Sequence, residues 1–195
     1  MRPDERFGRT FSTELSWSVE GDHLVVQSCG AVACRTRVLD PGSGRVRLID
    51  DPHLGESIGL VGGRLISYAD CHGLPCPLVT VDVETGRRTI LADDAGTAVL
   101  VVTEAGPRIV HEIGAGTRPS LRTVGIDGVE HGRAHPLRAD VRLVPGPSRT
   151  GANTGLARGW VLLTTDGRPP RDRSAAAFVH HVDTGETVAV QEVTR

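Results

Sequence analysis

The 195-residue sequence contains no lysine; all 22 of its basic residues are arginine. We read that bias as the coding habit of a GC-rich genome, and it removes Schiff-base and phosphate-loop lysine chemistry together. Aromatic residues make up only 3% of the chain, so any core must rest on Val, Leu, Ile and Ala. The longest apolar runs, such as Thr97 to Val102, fall far short of the roughly 20 residues that cross a bilayer. No transmembrane segment is expected. The opening residues Met1-Arg2-Pro3-Asp4-Glu5-Arg6 are charged and lack an apolar h-region, so no signal peptide is visible. A basic excess is missing too. A formal net charge of -2 argues against a nucleic-acid binder, whose affinity comes largely from replacing counterions, and charge implies no other partner.

What the sequence has is turns and a repeat. Twenty-four glycines and 12 prolines interrupt almost every window long enough for an amphipathic helix, which favours many short strands. Setting Cys29 on Cys71 places two copies 42 residues apart. Without a gap, Cys34 then falls on Cys76, Asp40 on Asp82, Gly44 on Gly86, Ile49 on Leu91, Glu14 on Glu56, Gly21 on Gly63 and Leu24 on Ile66. Each unit reads as four strands separated by Asp/Gly turns, and two weaker copies follow, marked by turns at Asp127 and Asp183. Units of about 40 to 45 residues with four antiparallel strands have the period of propeller blades. The expected fold is all-β: a β-propeller-like array of about four four-stranded antiparallel blades, closed or a segment of a larger propeller. The expected blades, in one domain over residues 1–195, are 14–51, 56–93, 97–138 and 140–193.

The stretch Ser16 to Val26, "SWSVEGDHLVV", resembles the WD40-like signature of TolB-type propellers, roughly Ser-x-Trp-Ser-Pro-Asp-Gly-x-x-Leu. Trp17, Ser18, Gly21 and Leu24 keep the pattern, Val19 stands for the Pro and Glu20 for the Asp, and the other three units lack the Trp. The two Cys-x4-Cys pairs lie outside that signature and look like those of exported actinobacterial propeller-like proteins. The resemblance implies the fold across most of the chain and says little about function.

Cys29, Cys34, Cys71 and Cys76 have three readings: two local disulfides, a zinc site or free thiols. Zinc needs four sulfurs converging on one ion, whereas the pairs occupy the same place in successive blades and should stay a blade apart. A bridge needs only that each pair face across the base of its hairpin loop. Disulfides are the favoured reading and would place the domain outside the cytoplasm, in the envelope or secreted. With no signal visible, the export signal would then lie upstream, or the chain would be a fragment.

Glu14 and Glu56 stand at matching points just before the innermost strand of their blades, and Asp140 holds a comparable place before the fourth. At a channel mouth these acids would form a partial ring for a cation or sugar; as solvated strand-edge acids they would do nothing specific. The eight histidines include no His-x-His pair, and metal and cofactor are both expected to be none. "GPSRTG", Gly146 to Gly151, lacks the ending of a phosphate loop. The Arg-rich Asp166 to Ser174 reads as a solvated loop. The function expected is a non-enzymatic binding or scaffolding module with unknown ligand. The alternative is a propeller hydrolase acting on glycans or lactones through channel-mouth acids or histidines. Partners would be a protein or small molecule, further blades of the same parent chain, or a second copy. One further expectation concerns closure: Arg9 to Thr13 would add an outer strand beside Glu186 to Val190 and fasten a ring.

Overall fold

A computed structural model describes residues 12–30, 34–71, 73–114, 118–145, 158–165 and 176–190. Their strands form four antiparallel sheets of four, each ordered as in the sequence. Blade 1 contains β1 (Ser12–Trp17), β2 (Leu24–Cys29), β3 (Cys34–Leu39) and β4 (Val46–Ile49). Blade 2 contains β5 (Leu54–Val61), β6 (Arg64–Ala69), β7 (Cys76–Asp82) and β8 (Arg88–Ala95). Blade 3 contains β9 (Ala98–Thr103), β10 (Gly106–Ile113), β11 (Ser120–Gly125) and β12 (His135–Pro136). Blade 4 contains β13 (Arg142–Leu143), β14 (Trp160–Thr164), β15 (Ala177–His181) and β16 (Thr187–Ala189). The array is β-propeller-like, as the repeat implies.

The Asp/Gly turns work as the sequence suggests. Asp40 Oδ1 accepts from the Gly42 and Ser43 N–H groups, and Asp82 Oδ1 accepts from those of Glu84 and Thr85. These bonds hold both carboxyls below the usual carboxylate range, led by the Ser43 side chain at Asp40 and the Thr85 backbone at Asp82. Each turn ends on a glycine at positive φ, Gly44 at 69° and Gly86 at 71°, where a side chain would strain the backbone.

Because side chains alternate across a strand, each blade has two faces, and the core lies in the seams between them. Val25, Val38 and Ile49 of blade 1 pack on Leu54, Leu60, Leu65, Val79 and Val81 of blade 2. Ile66, Leu78 and Leu91 of blade 2 meet Ala98, Leu100, Ile109 and Val124 of blade 3. Val99, Val110 and Leu121 of blade 3 meet Val141, Leu143, Val161 and Leu163 of blade 4. Blades 1, 2 and 3 thus each turn one face, called here the leading face, onto the next blade's trailing face. Among the described residues no apolar cluster joins blade 4 to blade 1.

Pairing register corrects the repeat at one strand. Val25 opposes Val38 in blade 1, and Ile66 opposes Thr80 in blade 2. The residue matching Ile66 on the leading face is therefore Val25, not Leu24. The second copy carries one extra residue between β6 and its cysteine, taken up where Asp70 adopts a φ of 49°. Two more corrections concern the ends. Ser12 and Thr13 pair with Cys29 and Ser28 in β1, so this part of the proposed closing strand belongs to blade 1. Arg9 to Phe11 lie outside the described residues. The last strand of blade 3 falls short of the expected blade end at residue 138 and is reduced to His135–Pro136 and a single bridge between Val124 and Glu130.

Candidate functional site: seams and end faces

Both cysteine pairs are local disulfides. Cys29 and Cys34 are directly opposed with Cα atoms 4.0 Å apart, and Cys71 and Cys76 are 5.2 Å apart. No free cysteine remains.

The resembling signature has a structural role here. Ser18 Oγ donates to Asp22 Oδ1 at 2.7 Å and accepts from the Asp22 and His23 N–H groups, closing the β1–β2 turn. The two departures from the signature both reach blade 2. The Val19 N–H donates to the Leu60 carbonyl at 2.9 Å, a bond that proline could not make. Glu20 Oε1 accepts from the Gly62 N–H at 2.9 Å.

A polar latch recurs across the three seams, each time from the second strand of one blade to the first strand region of the next. Gln27 donates to the Gly55 carbonyl at 3.1 Å and accepts from the Ser57 N–H at 2.8 Å, while also donating to Thr36 Oγ1. Tyr68 donates to the Gly96 carbonyl at 2.9 Å and accepts from the Ala98 N–H at 2.7 Å. Glu112 accepts from the Leu143 N–H at 2.5 Å. The one-residue slip at β6 brings Gln27 and Tyr68 into correspondence, which an ungapped alignment hides. Burial pushes the Tyr68 phenol and the Glu112 carboxyl up.

The three acids expected at a channel mouth are placed differently from one another. Glu14 lies within β1, half-buried and opposite Gln27, and Glu56 lies exposed within β5. Neither precedes its strand as expected, because β1 and β5 begin earlier. Asp140 lies in the turn before β13, ion-paired with Arg138 at 2.9 Å. Among the described residues no group of three or more His, Cys, Asp or Glu is arranged to hold a metal ion.

Three histidines lie instead at seams. His111, on the blade 3 face turned to blade 2, is fully buried, and burial lowers its pKa. His135 of blade 3 meets His180 of blade 4 at a tilt of 43°, ring centroids 4.4 Å apart. His180 is lowered to about 4, chiefly by burial and then by the charges of His135 and His181. A cleft of about 520 Å³ opens between β4 and the β7–β8 turn, with Arg45, Arg47, Asp50, Asp51 and Glu84 on its walls and an Arg47–Glu84 ion pair across it.

The feature that sequence reasoning missed is the trailing face of blade 1. Two cross-strand rows, Trp17-Leu24-Leu39-Val46 and Leu15-Val26-Arg37-Leu48, lie on it. Leu15, Trp17, Val46 and Leu48 are each more than half exposed. The corresponding row of blade 2 includes Leu60, Leu65 and Val81, exposed by 2%, 0% and 2% because blade 1 covers them. The signal was present in the sequence: strands β1 and β4 carry large apolar residues on the same parity as Leu24 and Leu39.

No family model and no curated protein matches the chain. Solved structures do. A prolyl endopeptidase superposes with a TM-score of 0.59 at 15% identity, over 91% of this chain and 26% of that one. TolB from Acinetobacter baumannii gives 0.55 at 13% identity, over 90% and 42%. A putative TolB from Agrobacterium tumefaciens gives 0.59 at 16% identity, over 93% and 66%. The chain therefore spans between about a quarter and two thirds of these proteins' lengths. The likeness establishes a distant TolB-type β-propeller-like fold.

Proposed function

We infer that this chain is a non-enzymatic binding or scaffolding propeller module of the cell envelope or exterior, working through its end faces. The observation that carries this reading is the apolar trailing face of blade 1. An exposed sheet face with a tryptophan and three large aliphatic side chains is the kind of patch that marks a protein contact. Two disulfides suit an oxidising compartment, and likeness to TolB, itself a propeller, fits the same setting. Glu14, Glu56 and Asp140 remain proposed ligand contacts at the channel mouth, secondary to the face.

The test is the accessibility of Trp17 in a Trp160→Phe background, which leaves one indole to report. Efficient acrylamide quenching of Trp17 in the monomer, together with binding of an apolar dye that is sharply reduced in Trp17→Glu, is the expected result. A shielded Trp17 in a monomer would overturn the reading. Turnover of a glycan or lactone panel that falls with Glu56→Gln and Asp140→Asn would replace it with the hydrolase.

A further inference from the structure

Blade 4 carries the complement of the uncovered face. Its residues Val161, Leu163 and Phe178 pack toward blade 3, so the opposite parity forms its leading face. Cross-strand pairing puts Leu162, Val179 and Val188 in one row there, with Trp160 and Val190 beside it. Val188 and Val190 are exposed. Within the described residues this is the one leading face with no blade seated on it, as blade 1 has the one trailing face with none.

Resting on the binding-module reading, we propose that the occupant is a second copy of this chain, with blade 4 of each copy seated on blade 1 of the other to close a two-fold ring of eight blades. The contact continues an interface that the chain already forms three times, always leading face onto trailing face. Charge is complementary: Arg37 stands on the blade 1 face and exposed Glu186 on the blade 4 face, opposite His181. Size suffices as well. The 22 strand residues of blade 1 and the 15 of blade 4 present roughly 350 and 240 Å² at the usual strand spacing and rise, so two seams bury on the order of 1,200 Å², the lower end of the range for a specific interface. A head-to-tail contact that closes after two copies also ends growth and removes both sheet ends from solvent.

Sedimentation equilibrium of the intact, oxidised chain tests this, with circular dichroism confirming that each variant keeps its β signature. The expected result is a dimer, and at least a tenfold weaker association for Trp17→Glu and separately for Val188→Glu. Mixing the two variants should restore association through the one seam whose faces are both intact. Dimers weakened by only one of the two substitutions, with no restoration on mixing, would mean like faces pairing and would overturn the proposal, as would filaments. A monomer in which Trp17 is quenched freely would overturn the second copy as occupant while leaving the binding-module reading standing. A monomer in which Trp17 is shielded would sink both.

Discussion

The seam between blades 1 and 2 and the seam between blades 3 and 4 share a geometry but differ in chemistry. The first is latched by a neutral amide, Gln27, which satisfies a carbonyl and an N–H of β5 at once, with Thr36 as its third partner. The last is latched by a carboxylate, Glu112, which can only accept, and among the described residues it does so from the Leu143 N–H. Farther along that seam the rings of His135 and His180 meet at a tilt. Blades 1 and 2 each carry a disulfide, whereas blades 3 and 4 have no cysteine. One half of the array is thus stapled and joined by a neutral latch; the other depends on groups that titrate. A propeller tolerates such variation because each seam needs only apolar complementarity and satisfied backbone groups.

Removing the neutral latch should have the largest effect. Gln27→Ala leaves the Ser57 N–H without its acceptor inside a packed seam and leaves the Gly55 carbonyl to the Ser67 hydroxyl, at a cost of about 3 kcal/mol. Glu112→Ala removes one accepted bond from a group already disfavoured by burial and should cost about 1 kcal/mol. Urea midpoints at pH 7 check the difference, and equal losses would break the comparison. Reduction is expected to rank next. Each bridge closes a short loop, so opening either should cost about 2 kcal/mol and loosen a hairpin without unfolding the domain. Non-reducing peptide mapping should recover Cys29–Cys34 and Cys71–Cys76, and a peptide joining Cys34 to Cys71 would contradict the pairing.

The titrating half should weaken in acid through His180. Its folded pKa, about 4, lies below the ordinary histidine value of 6.5. The unfolded chain therefore binds the proton first, and stability present above pH 6.5 is lost as pH falls toward 4. Allowing for partial solvent screening, the loss is about 1 to 2 kcal/mol. His180→Gln should flatten stability across that window, and an unchanged pH profile would remove His180 as its source.

Much of this fold was legible because its determinants are local. Asp40 and Asp82 bind the N–H groups two and three residues ahead, and Gly44 and Gly86 supply positive φ, so a turn at each follows from five residues of sequence. The seams were less legible. Whether Leu24 or Val25 faces blade 2 depends on β2–β3 register, and a Cys-x4-Cys loop looks the same in both copies although β6 ends one residue farther from its cysteine. The latch escaped notice for the same reason: Gln27, Tyr68 and Glu112 share neither residue type nor constant spacing, and only the faces they occupy relate them. The acids Glu14 and Glu56 were found by repetition, which locates a position along the chain without showing which way it points.

The smallest and sharpest change converts one latch into the other. Burial is the leading influence on Glu112 and raises its pKa, against the Leu143 N–H and the Arg142 charge, which both lower it. The folded state consequently holds the proton more tightly than the unfolded chain does. That contribution is complete at pH values below the ordinary carboxylate range and is lost as pH rises through the folded value, opposite in sign to the effect of His180. Glu112→Gln keeps an oxygen for the Leu143 N–H while removing the charge that burial disfavours. It should therefore leave stability unchanged in acid and raise it near pH 7 by less than about 1 kcal/mol. The mirror substitution, Gln27→Glu, keeps an acceptor for Ser57 but removes the donor to Gly55, and should introduce into the first seam the pH dependence taken from the last. Urea midpoints for the two variants from pH 4 to pH 8 should show slopes changed in opposite directions. If Glu112→Gln instead destabilises at pH 7, the ionised carboxylate is the better latch, and the two seams differ in strength rather than in their response to protons.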